Sequence, residues 1–267
     1  MILSVVIPCF NHGQYLQETI DSVLSYQDQP IEIIIVDDGS DDSFTKVKIE
    51  ELKNLGYNVI QQINSGLAKT RNIGIASAKG KYILPLDADN KIRADYIRNA
   101  IKLLDADFTD IVYAKPSFFG EVIKEREFET HKFDGTKLIF ENYIDACAIF
   151  RKNVWIKNEG YDEKMPYQGL EDWDFWLKSY FNKFRFHFIN EELYEYRILS
   201  NSMITSIGSL DTDNSTLNYI INKYGILFIE NLRPHYVASK MYENDIRHPF
   251  RSIFKYIFRS VKALIER

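Results

Sequence analysis

At 267 residues, 45% of them hydrophobic and 27% charged, the chain is long enough for one large globular domain or two small ones. Its formal charge of -5 offers no general attraction for nucleic acid. Two cysteines, Cys9 and Cys147, are too few for a disulfide scaffold and too far apart for a local metal knuckle, so both are expected as buried thiols.

Ile2 to Ile7 is a short apolar run without the basic segment of a secretory leader, and polar Asn11-His12-Gly13-Gln14 soon follows. It reads as the first strand of a cytoplasmic protein, and no later apolar run is long enough to span a bilayer. A helix is expected from about Gln14 to Ser25, with Tyr15, Leu16, Ile20, Val23 and Leu24 near one face. Ile31 to Val36 is almost wholly β-branched, the pattern of a strand covered on both faces in a parallel sheet. Ser40, Asp41, Asp42 or Ser43 can cap the next helix, which ends near Gly56. Val59 and Ile60 mark a third strand, Leu67 to Ala78 a helix, and Tyr82 to Leu86 a fourth strand. Four βα units in succession predict an α/β fold, a doubly wound and mostly parallel sheet with helices on both faces. Beyond about residue 105 the rhythm is irregular. Strands are expected near Asp110 to Tyr113, Ala146 to Phe150 and Arg185 to Phe188, around a polar segment at Glu121 to His131, as a second half built onto the same sheet.

Ligands of open α/β sheets lie beyond the carboxyl ends of the parallel strands. Those ends are acidic here: Asp37-Asp38-Gly39-Ser40 after the second strand, Asp87-Ala88-Asp89 after the fourth. Neither G-x-G-x-x-G nor G-x-x-x-x-G-K-[ST] occurs, which argues against dinucleotide and P-loop folds and leaves a metal to supply positive charge. Paired carboxylates where an apolar strand surfaces suit a hard divalent cation and the phosphates it carries. Plainer readings stand beside this one. Asp37 and Asp38 precede a glycine as turn residues do, and Arg71 can pair with a surface carboxylate.

Taken together, Ser4-Val5-Val6-Ile7-Pro8-Cys9-Phe10-Asn11, Val36-Asp37-Asp38-Gly39-Ser40, Asn64-Ser65-Gly66 with Arg71-Asn72-Ile73-Gly74, Asp87-Ala88-Asp89 and Glu171-Asp172 resemble the inverting glycosyltransferases of family 2, which have the GT-A fold. The resemblance covers roughly residues 2 to 203. It implies transfer of a sugar from a UDP- or GDP-sugar to a hydroxyl acceptor with inversion of the anomeric centre, as in cell-surface polysaccharide or glycolipid synthesis. It implies that Asp38 hydrogen-bonds the nucleotide base and that Asp87 lies near ribose and diphosphate. Asp89 would be the direct ligand of Mn2+ or Mg2+, with Pro8, Ala88 and Arg71 in the same nucleotide-sugar site. The expected organisation is a donor-binding half over 1–105, an acceptor-binding half of the same domain over 106–205, and a helical C-terminal extension over 206–267.

Inversion needs one base to deprotonate the acceptor hydroxyl. Trp173, Trp176, Leu177 and Tyr180 follow i, i+3, i+4, i+7 spacing, the stripe of a buried helical face, and Asp172 sits beside it at the helix start. Spacing alone reads Asp172 as a helix cap, an acid that the helix dipole also favours. The resemblance makes it the base, with Glu171 contacting acceptor or structure. Tyr161 to Gly169 reads either as a segment that closes over the donor or as a surface loop. The family often has Tyr-Arg-x-His followed by Ser after this helix, but here Leu199 stands where the histidine is expected. Arg197 and Ser202 remain as candidate phosphate contacts. The five histidines show no ligand spacing and read as structural or surface residues.

From Phe250, apolar Ile253, Phe254, Ile257, Phe258, Val261, Leu264 and Ile265 share a helical face opposite Arg251, Lys255, Arg259 and Lys262. Such a helix suits the inner face of an anionic membrane and a lipid-linked or other saccharide acceptor, or equally packs on the core or on a second subunit as a homodimer. Two other functions are compatible with parts of the pattern: a non-catalytic nucleotide-sugar or glycan binder, favoured by Leu199, and a sugar nucleotidyltransferase, for which Pro8-Cys9-Phe10-Asn11-His12-Gly13 is a poor triphosphate loop.

Overall fold

The computed structural model describes residues 2–121, 127–166, 169–199, 210–253 and 255, the side chains of 210–214 excepted. The chain forms two compact units, 1–220 and 221–267.

In the first unit β1 (Leu3–Cys9), α1 (Gly13–Leu24), β2 (Ile31–Asp37), α2 (Ser43–Asn54), β3 (Asn58–Gln61), α3 (Leu67–Ser77) and β4 (Tyr82–Pro85) follow one another as the alternating pattern predicts. Then come β5 (Lys91–Ile92), α4 (Ala94–Asp105), β6 (Ile111–Gly120), α5 (Gly135–Phe140), β7 (Ile149–Arg151), α6 (Lys152–Lys157), α7 (Glu171–Phe181) and β8 (Phe186–Ile198). Among the described residues the strands make one eight-stranded sheet in the order β3-β2-β1-β4-β7-β6-β8-β5. β3, β2, β1 and β4 are mutually parallel, β7 runs antiparallel to both β4 and β6, and β8 lies parallel to β6.

The period of two along each strand decides what covers the sheet. Val5, Ile7, Ile33 and Ile35 point into a core shared with Leu16 and Ile20 of α1, Ile49 of α2 and Tyr96 and Ile97 of α4. Val6 and Val36 face the other way and meet α3 at Gly74, where a Cβ would collide with the Val6 side chain. Helices therefore cover both faces, and β1, with all seven residues buried, is the spine.

The second half departs from its sequence reading in length more than in kind. β8 reaches Ile198 and pairs with β6 as far as Gly120, through a register shift around Lys115. The exposed polar run Asn190-Glu191-Glu192 in its middle hides that length from a search for apolar runs. β5, two residues long, also escapes such a search. Tyr180 is only half-buried, whereas Glu171 to Leu177 are buried all round, so α7 is a core helix in its first two turns and more than a one-sided stripe. Cys9 and Cys147 are both buried free thiols.

The last helix, α8 (Leu210–Arg247), contains Pro234 and runs from the first unit into the second. In the second unit Ile226, Ile229, Tyr242, Ile246, Phe250 and Ile253 are exposed. The remainder of the expected amphipathic stripe, Phe254 and Ile257 onward, lies outside the described residues. Among those described, no helix is long and apolar enough to cross a membrane.

Candidate active site

A cavity of about 760 Å³ opens at the carboxyl ends of β1, β2 and β4, where an open α/β sheet places its ligands. Pro8, Asp38, Arg71, Asp87, Ala88, Asp89, Glu171, Asp172 and Arg197 all line it, although they come from six separate stretches of sequence. Ser202 lies outside the described residues.

Asp38 is 5% exposed and held by three donors. Its Oδ1 accepts from Gln62 Nε2 at 2.6 Å and Ser65 N at 2.8 Å, and its Oδ2 accepts from Gly66 N at 2.9 Å. A carboxylate has about four acceptor positions, so one remains for a ligand. Gly39 turns the chain here at φ +73°, and a Cβ on it would press against the Asn64 backbone. Asp38 thus organises the loop ahead of α3 as well as facing the cavity.

Arg71, 1% exposed, projects from α3 between two carboxylates. Nη2 donates to Asp87 Oδ1 at 2.7 Å, and Nη1 pairs with Glu171. Burial alone lowers Arg71, but Asp87 and Glu171 more than reverse it and hold the guanidinium firmly charged. Its Nε is buried with no hydrogen-bond partner. The arginine is a tie between the end of β4 and the start of α7, in place of the surface pair its sequence setting allows. Glu171 is equally committed: its other oxygen accepts from Gly169 N at 2.6 Å.

The Asp87-Ala88-Asp89 loop is fixed by its backbone. Thr19 Oγ1 donates toward Ala88 O at 2.7 Å and Asn90 O at 2.8 Å. Arg197 Nε donates to Asp89 O at 3.0 Å, and Arg197 N donates to Asn90 Oδ1 at 2.9 Å. The Arg197 guanidinium lies between the rings of Tyr15 and Phe119, 4.4 and 4.3 Å from their centroids. It lines the cavity from behind the acidic loop and is engaged in positioning it. Leu199 lines the same cavity and offers no donor atom.

What remains uncompensated is negative charge. Burial, then the Asp87 charge, raises the Asp89 carboxyl from 3.8 to about 7. The same two causes raise Asp145, which the sequence reading missed, to about 7. Asp172 is raised well above its ordinary value by burial, then by Glu171 and Asp145. Asp172 is the second residue of α7 and not its cap, which is Leu170. Its Oδ1 accepts from Trp173 N at 2.7 Å and its Oδ2 from Asn142 Nδ2 at 3.0 Å. The segment that carries Asn142 and Asp145 is anchored by α7 itself, because Trp176 Nε1 donates to Ile144 O at 2.8 Å.

A cation fits this donor set. Three carboxylates face one pocket with elevated proton affinity, and a divalent ion held by Asp89 would supply the charge they lack. No group of three or more His, Cys, Asp or Glu ligands occurs among the described residues, so protein atoms alone do not complete a coordination shell.

Asn142, Asp145 and His12 are among the polar lining residues that sequence reasoning did not assign to the site. No spacing signal reaches them, since each meets its partner across the fold: Asn142 is 30 residues from Asp172, and His12 Nδ1 stands 4.0 Å from Asp89 Oδ2. The Tyr161 to Gly169 segment is pinned where it starts. Asn72 donates to Tyr161 O and accepts from Tyr161 N, and Tyr161 stacks on Phe175 at 4.4 Å.

A doubly wound sheet with acidic strand ends around one cavity defines an α/β protein that binds its ligand beyond the carboxyl ends of its strands, and comparison with known proteins makes the class specific. Residues 4–162 match the model of Glycosyl transferase family 2. The chain belongs to that family and has the GT-A fold. It is 26% identical, over 96% of its own length and 88% of the relative's, to an uncharacterized glycosyltransferase of Methanocaldococcus jannaschii. It is also 29% identical to chondroitin synthase of Pasteurella multocida, over 83% of this chain but 23% of that one. Among solved structures, Staphylococcus aureus TarS 1-349 in complex with UDP-GlcNAc superposes with a TM-score of 0.63 at 22% identity, covering 87% of this chain and 75% of the other. At that identity the likeness establishes the fold.

Proposed function

We propose that the protein transfers a sugar from a nucleoside-diphosphate sugar to a hydroxyl of a saccharide or lipid-linked acceptor, with inversion at the anomeric carbon. The observation that carries this reading is the placement of Asp172, a carboxylate of raised proton affinity, in the same cavity as Asp87 and Asp89. The donor class is supported by family membership and by the TarS complex with UDP-GlcNAc.

In this reading Asp89 holds a divalent cation together with the diphosphate, and Asp87 is kept oriented toward it by Arg71. Bound there, the cation supplies charge that stabilises the departing nucleoside diphosphate. Asp172 does the acid-base work. One carboxylate oxygen takes the proton of the acceptor hydroxyl as that oxygen attacks the anomeric carbon, and Asn142 holds the carboxylate in place. Burial makes Asp172 a stronger base than a solvated aspartate, at the cost of needing a higher pH to ionise. Asp38 keeps the loop before α3 shaped for the nucleotide and offers its last acceptor position to the base.

Leu199 favours a second reading, a binder without turnover. The test is release of UDP or GDP from a panel of nucleotide-sugars with Mn2+, followed by NMR assignment of the product anomer. Inverted product that disappears in Asp172→Asn supports the transferase. Retained configuration overturns the mechanism, and UDP binding without any turnover makes the protein a binder.

A further inference from the structure

Apart from its approach to Asp89, the imidazole of His12 has no role in the site described above. His12 precedes α1 as its N-cap residue but makes no side-chain capping hydrogen bond. Its ring meets Tyr15 edge-on, with centroids 5.7 Å apart, and points into the cavity that Asp89 lines. The other face of this arrangement is Arg197, stacked on Tyr15 and hydrogen-bonded to the Asp89 carbonyl. One layered assembly, His12 on Tyr15 on Arg197, therefore sets both the ring and the acidic loop, and sets them facing each other.

From this geometry we infer that His12 supplies a nitrogen ligand to the divalent cation on Asp89. The inference rests on the assignment of Asp89 as the cation ligand. Two neighbouring ligands of one ion, each bound at about 2.0–2.2 Å, sit roughly 3.0–3.4 Å apart. His12 Nδ1 and Asp89 Oδ2 are 4.0 Å apart, a gap that side-chain rotation closes to ligand spacing without movement of either backbone. Among the described residues lining the cavity, His12 is the sole histidine, and Leu199 contributes no donor. A nitrogen ligand changes which metal the site prefers. Imidazole binds Mg2+ poorly and gains strength along the series from Mn2+ to Co2+, so a nitrogen ligand ranks Co2+ above Mn2+ and Mn2+ above Mg2+ at this site.

The test is pulsed electron paramagnetic resonance of Mn2+ bound to the full chain with UDP, on wild type, His12→Gln and Asp89→Asn, alongside Mn2+ and Mg2+ titrations. Wild type should show nitrogen hyperfine coupling from a directly bound imidazole. In His12→Gln the coupling should vanish and Mn2+ binding weaken about tenfold, with Mg2+ changed less than about twofold. Mn2+ bound through Asp89 without nitrogen coupling, or a coupling that survives His12→Gln, overturns the role of His12 alone. Mn2+ binding unchanged in Asp89→Asn overturns the cation assignment beneath it.

Discussion

Two walls of the cavity use the same residue type in opposite ways. Against β2 and α3, Asp38 accepts from three donors, and Glu171, at the start of α7, accepts from Arg71 of α3 and from Gly169 N, so the hydrogen bonds of each carboxylate are satisfied within the chain. On the side formed by the end of β4, the 142–146 segment and the second residue of α7, Asp89, Asp145 and Asp172 are buried along one cavity, and burial first and neighbouring carboxylates second raise their proton affinities. A carboxylate whose hydrogen bonds are satisfied holds shape, and one left in excess is poised to take a proton or a cation. Carboxylates on the first wall should act through stability, those on the second through chemistry.

The sharpest test of that division is Asp172→Asn. A positioned general base contributes about 10²- to 10⁴-fold, so kcat for sugar transfer should fall about a thousandfold while UDP affinity changes less than about twofold. Loss of UDP affinity in parallel would move Asp172 to the first wall. Glu171→Ala should show the converse pattern. It leaves Arg71 buried with one of its two carboxylate partners gone, and truncating one side of such a pair costs about 3–5 kcal/mol in denaturant unfolding. Stability unchanged in that variant would break the comparison.

How much of this was legible in the sequence follows from the range of each signal. The four βα units and the acidic strand ends rest on local periodicity and neighbours in sequence, and those survive folding unchanged. Arg71 was visible as a motif residue, but its role as a tie was not, because Asp87 and Glu171 are 16 and 100 positions away. Asn142 and Asp145 lie in a segment with no regular structure, held against the site by contacts distant in sequence such as the indole of Trp176 and the carboxylate of Asp172. His12 was set aside for lack of ligand spacing, a criterion that works for one helix or one loop and fails where two strand ends converge.

Smaller effects refine the two walls. Asp38→Ala strands two backbone N–H groups, those of Ser65 and Gly66, and should cost about 2–4 kcal/mol in unfolding while raising KM for the donor. Asn142→Ala should lower kcat only about tenfold. Its signature is in the pH profile. The Asn142 hydrogen bond favours ionised Asp172, so its loss should move the acid limb of kcat to higher pH. A limb that stays in place would show that Asn142 merely fills space.

The smallest effect has an unusual sign. Asp89 titrates near 7 in the folded chain against about 3.9 when unfolded, so between those values the folded protein holds a proton that the unfolded chain has lost. Stability from this group is complete below about pH 4 and is lost as pH rises through 7. Asp89→Asn removes the penalty. At pH 8 and free of divalent ions, the variant should be more stable than wild type by about 1–2 kcal/mol, roughly 3–6 °C in Tm, and at pH 4 the two should coincide. Adding Mn2+ and UDP should reverse the order, because binding stabilises only the protein that binds. A variant less stable than wild type at pH 8 without cation would mean that Asp89 already has its partner within the chain, and would place it on the same wall as Asp38.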